Sequence, residues 1–200
     1  MVKDTLVFEK RERLFFTADT HFGHKNIINY CQRPFTNVEE MEEALIANWN
    51  SVVEKNDVVF HLGDFSMGGL TEWNRLLQRL NGRIYLIIGN HDAKTIRSGV
   101  SGFEGVAMQM MLNFKGQIIY LNHFPFLCYG GSSRHTWQLF GHVHTCSNNI
   151  GKDSSRLKML LPTQYDVGVD NNKYTPVSFD QIKAIISKQI NHYEQKLPKE

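Results

Sequence analysis

The stretch Arg83-Ile-Tyr-Leu-Ile-Ile-Gly-Asn-His-Asp92, RIYLIIGNHD, runs from an apolar segment through one glycine into three polar side chains. Short runs rich in Val, Ile and aromatics and broken by Gly or Asp have the pattern of buried strands. Two further stretches share this design: RLFFTA, residues 13–18, ends at Asp19, and DVVFHL, residues 57–62, ends at Gly63-Asp64. Between those two, Asn37-Val-Glu-Glu40 has the form of a capping box, and Val38, Met41, Leu45, Trp49 and Val52 follow at helical spacing. Between the second strand and the third, Thr71 is placed to cap a helix whose Trp73, Leu76, Leu77 and Leu80 share one face and which ends at Asn81-Gly82. The series is strand-helix-strand-helix-strand, each strand delivering polar residues at its C-terminal end, where α/β sheets place their ligand sites.

The second half is mostly β. GVAMQMMLNF and QIIYLNHF flank Lys115-Gly116 as a hairpin would, and WQLFGHVH and YDVGVD read as further strands. Ser178-Phe-Asp-Gln181 then opens an amphipathic helix through Ile182, Ile186, Ile190 and Tyr193, expected to lie on a sheet face. No repeat or low-complexity linker interrupts the 200 residues, so a single domain, 1–200, is expected.

Composition excludes several classes. Lys+Arg 22 against Asp+Glu 20 leaves a net charge of +2, with no polybasic or acidic tail, so any charge-based recognition is local. No apolar run approaches a membrane span, and the first residues lack the apolar core of a signal peptide, so a cytoplasmic protein is expected. Cys31, Cys128 and Cys146 are far apart and outside any C-x-x-C, and they read as free thiols.

The chemistry lies in Asp19-Thr-His21, Gly63-Asp64, Gly89-Asn-His-Asp92, Asn122-His123 and Gly141-His-Val-His144. On a strand, residues two apart share a face, so Asp19 with His21, and His142 with His144, would each present two ligand atoms to one place. Imidazole with carboxylate suits manganese, iron or zinc, and the lack of Cys in the set argues against a structural zinc site. Asp19, His21, Asp64, Asn90, His123, His142 and His144 are too many for one tetrahedral ion but suit two ions bridged by Asp64. Two divalent ions against two carboxylates leave a net positive cluster that attracts phosphate.

In this order, over about two-thirds of the chain, these motifs resemble those of the calcineurin-like metallophosphoesterases. DTHFGHKNI, YCQRPF, HLGDF and a late VGVD resemble a small bacterial and phage-type branch. The resemblance implies a four-layer α/β/β/α sandwich with the site at one sheet edge. It also implies two divalent ions, manganese first, with iron, zinc, nickel or cobalt as alternatives. Asp19, His21, Asp64 and His144 would hold one ion, and Asp64, Asn90, His123 and His142 the other. A hydroxide bridging them would attack phosphorus in line, while His91 protonates the leaving group and Asp92 orients the His91 ring. One departure is Met67, where many members carry a second acid after the Gly-Asp motif.

The expected activity is hydrolysis of a phosphodiester, a small nucleotide or similar, because a compact chain without an extended basic stripe suits a small ligand. Phosphomonoesterase, protein phosphatase and nuclease are the alternatives of the same chemistry, and a non-catalytic scaffold the alternative of another class. His24 and Arg33 are substrate candidates, although for Arg33 the role of holding its own loop through carbonyls is favoured. Lys25 shares the loop of His24 and with it either contacts substrate phosphate or is solvated, Arg134, His135 and His192 read as surface, His61 as a hydrogen-bonded core residue, and Met108, Met110 and Met111 as strand packing. Gly89 is read as the residue that lets the backbone turn so that the side chains after it diverge.

Overall fold

The computed structural model describes residues 5–9, 11–145 and 157–196. Cys146, one of the expected thiols, lies outside them. Among the described residues, two five-stranded sheets stack face to face. The first contains β2 (Leu14–Thr17), β3 (Val58–His61), β4 (Arg83–Ile87), β5 (Gly105–Ala107) and β10 (Val177–Ser178), in the order β10-β2-β3-β4-β5. All its pairings are parallel except that of β10 with β2. The second contains β1 (Thr5–Val7), β6 (Gln109–Phe114), β7 (Gln117–Asn122), β8 (Trp137–Phe140) and β9 (Gln164–Asp166), in the order β1-β6-β7-β8-β9. Only its β6–β7 pair is antiparallel, turning at Lys115-Gly116 as the sequence predicts.

The two-residue period of the strands sorts the core into two clusters. Leu14, Phe16, Val58, Phe60 and Ile87 meet Leu112, Phe114, Ile119, Leu121 and Leu139 between the sheets. Phe15, Val59, Ile84 and Leu86, on the other face of the first sheet, pack under Ile27, Met41, Leu45, Trp49, Trp73 and Leu76. Those residues come from α1 (Lys25–Tyr30), α2 (Val38–Val52) and α3 (Leu70–Arg79). The C-terminal helix α5 (Phe179–Glu194) places Phe179, Ile182 and Ile186 against the inter-sheet cluster. Its capping box forms in full, with Ser178 accepting from the Gln181 amide and the Gln181 side chain accepting from the Ser178 amide. Among the described residues, no helix is long and apolar enough to cross a membrane.

Local details differ from the sequence reading. The cap of α2 is Asn37, but Glu40 reaches back to Thr36 instead of closing on Asn37 itself. Helix α3 starts from Gly69, not Thr71, because Leu70 already has helical geometry. The run 105–114 divides at Met108: β5 joins β4, while β6 crosses to the other sheet. Met108 is therefore exposed at the break, and of the three methionines it is Met110 that packs against the inter-sheet core. A short helix, α4 (Ala93–Arg97), follows Asp92 directly.

Candidate metal centre

Five strand ends converge. β2 delivers Asp19 and His21, β3 Asp64, β4 Asn90 to Asp92, β7 His123, and β8 His142 and His144. The β2–β3 pairing continues past both strands as backbone hydrogen bonds, Asp19 N to Gly63 O (2.9 Å), His21 N to Asp64 O (3.0 Å) and Phe22 N to Phe65 O (3.0 Å). The amide of His142 donates to Asp19 Oδ2 (2.8 Å), which ties the second sheet to the first. His61 lies beneath, fully buried. The Thr20 hydroxyl donates to Phe65 O, so His61 Nε2–H donates to Thr20 Oγ1 (2.9 Å), and burial drives its pKa down to about 3.

The juxtaposition of ligands expected from strand periodicity is present, but periodicity does not produce it. Asp19, His21, Asp64, His142 and His144 all have positive φ, between 46° and 71°, so each sits in a left-handed turn. A non-glycine residue there costs of order 1–3 kcal/mol and persists only where its surroundings hold it. Gly89 likewise has a different role from the expected one. It supplies close approach, since a Cβ there would strike the backbone nitrogen and carboxylate of Asp64. At Gly141 a Cβ would come 2.5 Å from Asp19 Oδ2.

The donor atoms form two groups. Asp19, His21 and His144 offer ligand atoms all within 4.8 Å of one another, and so do Asp64, His123 and His142. Asp64 Oδ2 lies between the groups, 3.7 Å from His21 Nε2 and 3.5 Å from His123 Nε2. Burial works against ionisation of Asp64, but the His123 hydrogen bond and nearby charges hold its carboxyl well below the usual range. Asp19 is the opposite case, since burial pushes it up to about 7 despite His144 and His123.

Several buried donors have no partner of their own. Asp19 Oδ1 and both ring nitrogens of His21 are unsatisfied, and burial holds the His21 pKa well below normal. His123 Nδ1–H donates to Leu62 O (2.7 Å), which turns Nε2 toward Asn90 Oδ1, 3.0 Å away. In a neutral ring those two atoms are both acceptors, an arrangement that a cation relieves. Nitrogen and oxygen atoms that converge without hydrogen-bond partners, or acceptor against acceptor, fit divalent ions that displace the protons of their ligands.

Asp92 does not orient His91. Its Oδ2 accepts from the amides of Asp64 and Gly89 (both 2.8 Å) and its Oδ1 from that of Phe65 (2.9 Å), so the carboxylate ties the β3 and β4 loops together. The His91 amide donates to Asp64 Oδ1 (2.9 Å), and its half-exposed ring lies at the mouth, with Nε2 4.0 Å from Asp64 Oδ2. The His24 ring sits within the same cluster, its centroid 5.3 Å from that of His21 and 6.4 Å from that of His91. Arg33 is not positioned as a substrate contact. Its buried guanidinium pairs with both oxygens of Asp170 (2.8 Å each) and donates to the carbonyls of Asp19 (2.7 Å) and Thr20 (2.9 Å). Arg134 and His135 are exposed in a short turn at the far end of β8, and His192 is exposed on α5.

Asp170 is the functional residue missed at the level of sequence. It accepts from His144 Nδ1–H (2.6 Å), and together with Cys31 and Asp19 it lifts the His144 pKa to about 11 against the effect of burial. The available signal was YDVGVD, another strand ending in glycine and an acid. Cys31, buried, comes within 4.8 Å of the donor atoms of His144 and Asp170, but the Arg33 pair occupies Asp170 and disfavours a third cation there.

The family model for calcineurin-like phosphoesterases matches residues 12–166. The chain belongs to that family. This phosphoesterase is 42% identical over 188 residues to the uncharacterized protein MJ1445 of Methanocaldococcus jannaschii, covering 88% of this chain and 92% of that one. It is 31% identical over 160 residues to the Gene 66 protein of Mycobacterium phage L5, covering 66% of this chain and 77% of the relative. Among solved structures, a protein of unknown function from Aquifex aeolicus, AQ665, superposes with a TM-score of 0.65 at 25% identity, over 88% of this chain and all of the other. The enzyme is a metal-dependent phosphoester hydrolase with the α/β fold of its family.

Proposed function

We propose that the enzyme hydrolyses phosphodiesters of small-molecule size, nucleotides or similar compounds, with two manganese ions. The observation that carries this reading is the pair of donor groups with Asp64 Oδ2 between them. Asp19, His21, Asp64 and His144 would hold one ion, and Asp64, Asn90, His123 and His142 the other. Bound there, such ions polarise the phosphoryl group and bring the pKa of water toward neutrality. The chain's own residues do the rest. His91, at the mouth, donates a proton to the leaving-group oxygen, and its amide bond to Asp64 Oδ1 fixes the start of its side chain. His24, beside it, contacts the phosphate from the α1 side.

A diester is favoured over a monoester by the fate of Arg33. A free guanidinium beside the ions would favour a dianionic monoester, whereas that of Arg33 is committed to Asp170 and two carbonyls. With manganese added, bis(p-nitrophenyl) phosphate is expected to turn over faster than p-nitrophenyl phosphate, and the reverse order would overturn the diester reading. Replacing His91 with Ala is expected to leave both ions bound while lowering turnover ~10²–10⁴-fold, most for poor leaving groups. Loss of an ion instead would show that His91 is a ligand.

A further inference from the structure

Beside the second donor group lies a cavity of about 440 Å³, walled by Phe124, Phe126, Leu127, Val143, Met159 and His142. Among the described residues, His142 is its one polar lining residue, and none of the lining side chains carries a carboxylate, ammonium or guanidinium. Phe124 joins the cavity to the metal centre, for its ring centroid is 4.6 Å from that of His142 and 4.9 Å from that of His123, both edge to face. Even so, Phe124 is 41% exposed, and Leu127 and Met159 are more exposed still. An apolar patch on a phosphoester-handling site is the mark of a ligand groove rather than of packing.

The wall is held in place by polar groups behind it. Gln138, on β8, and Gln164, on β9, are buried, and their side chains bond to each other (2.7 Å). Gln138 donates to Phe124 O (3.1 Å) and accepts from Phe126 N (3.3 Å), while Gln164 donates to Phe126 O (2.9 Å). The Phe124 amide donates to Asn122 Oδ1 (2.8 Å). Two buried amides spent on one loop backbone give the aromatic rings a fixed presentation that packing alone does not supply.

Building on the phosphodiesterase reading, we propose that this cavity is the subsite for a neutral, flat aromatic substituent of the diester, stacked on Phe124 while the phosphate sits at the ions. The volume takes one or two rings, and the apolar side chains of the described lining suit a neutral ring better than a second phosphate.

The test compares bis(p-nitrophenyl) phosphate with methyl p-nitrophenyl phosphate, which share a leaving group and differ in the retained ester. The wild-type ratio of kcat/KM is expected to fall ~10-fold in Phe124→Ala, stacking on one aromatic being worth about that much, and to recover in Phe124→Trp. An unchanged ratio overturns the subsite, as does equal loss on both substrates. Failure of the wild type to turn over either diester would overturn the phosphodiesterase reading alone. The subsite is then judged by calorimetry on manganese-loaded protein. Phenylphosphonate is expected to bind more tightly than methylphosphonate, by a margin that Phe124→Ala removes, and equal affinities overturn the proposal.

Discussion

The two donor groups face different surroundings. Behind Asp19, His21 and His144 the molecule is polar and closed: Arg33, Asp170, Thr20 and His61 form a buried network that fixes the ligand-bearing backbone and one imidazole. Beside Asp64, His123 and His142 it is apolar and open, with Phe124 against two imidazoles and a cavity beyond. The contrast separates two jobs. On the proposed reading both sides would hold an ion and the open side would also receive substrate, with Asp64 between them.

Removing the shared element should erase the difference. Asp64→Ala is expected to release both ions and lower turnover ~10³-fold or more, since several kcal/mol of charge stabilisation go with them. A variant that keeps two ordered ions by metal analysis would remove Asp64 from the bridging position. Asp92→Ala leaves three buried amides without an acceptor and is expected to cost about 3–5 kcal/mol in urea unfolding. A loss of turnover at unchanged stability would return Asp92 to the role of orienting His91.

Asp170→Asn tests the closed side alone. Weakening the carboxylate that holds His144 is expected to reduce affinity for one ion of the two by ~10–100-fold in a manganese titration. Equal weakening of both sites would show that the two sides are not independent.

The smallest effect concerns pH. His61 is neutral when folded, with a pKa of about 3, but titrates near 6.5 once unfolded. The unfolded chain therefore takes up the proton first, and stability falls as pH drops below about 6.5. Between pH 6.5 and 5 the loss approaches ~2 kcal/mol at 1.36 kcal/mol per unit. His61→Gln keeps a donor for Thr20 and is expected to lose that part of the slope in urea midpoints at pH 7 and 5, and a slope unchanged in His61→Gln would contradict this assignment.

The parallel series through RLFFTA, DVVFHL and RIYLII could be read from pattern because its strands are buried on both faces and its helices are amphipathic. The convergence of the motif residues was legible from residue type and order. What was not legible depended on backbone outside regular structure. The left-handed turns at five ligand positions have no hydrophobic period, and the β5–β6 division at Met108 shows only in pairing. The partners of Asp92, Arg33 and Asp170 are backbone groups or distant side chains, and Arg33 and Asp170 are separated by 137 positions. Local spacing says nothing about such pairs.

The three amides gathered by Asp92, together with the β2–β3 bonds that run on past the strands, mean that the loops are laced by the protein itself. Loss of Asp92 would therefore be felt at the ligand positions of two strands at once, as slack in the backbone rather than as a missing ligand.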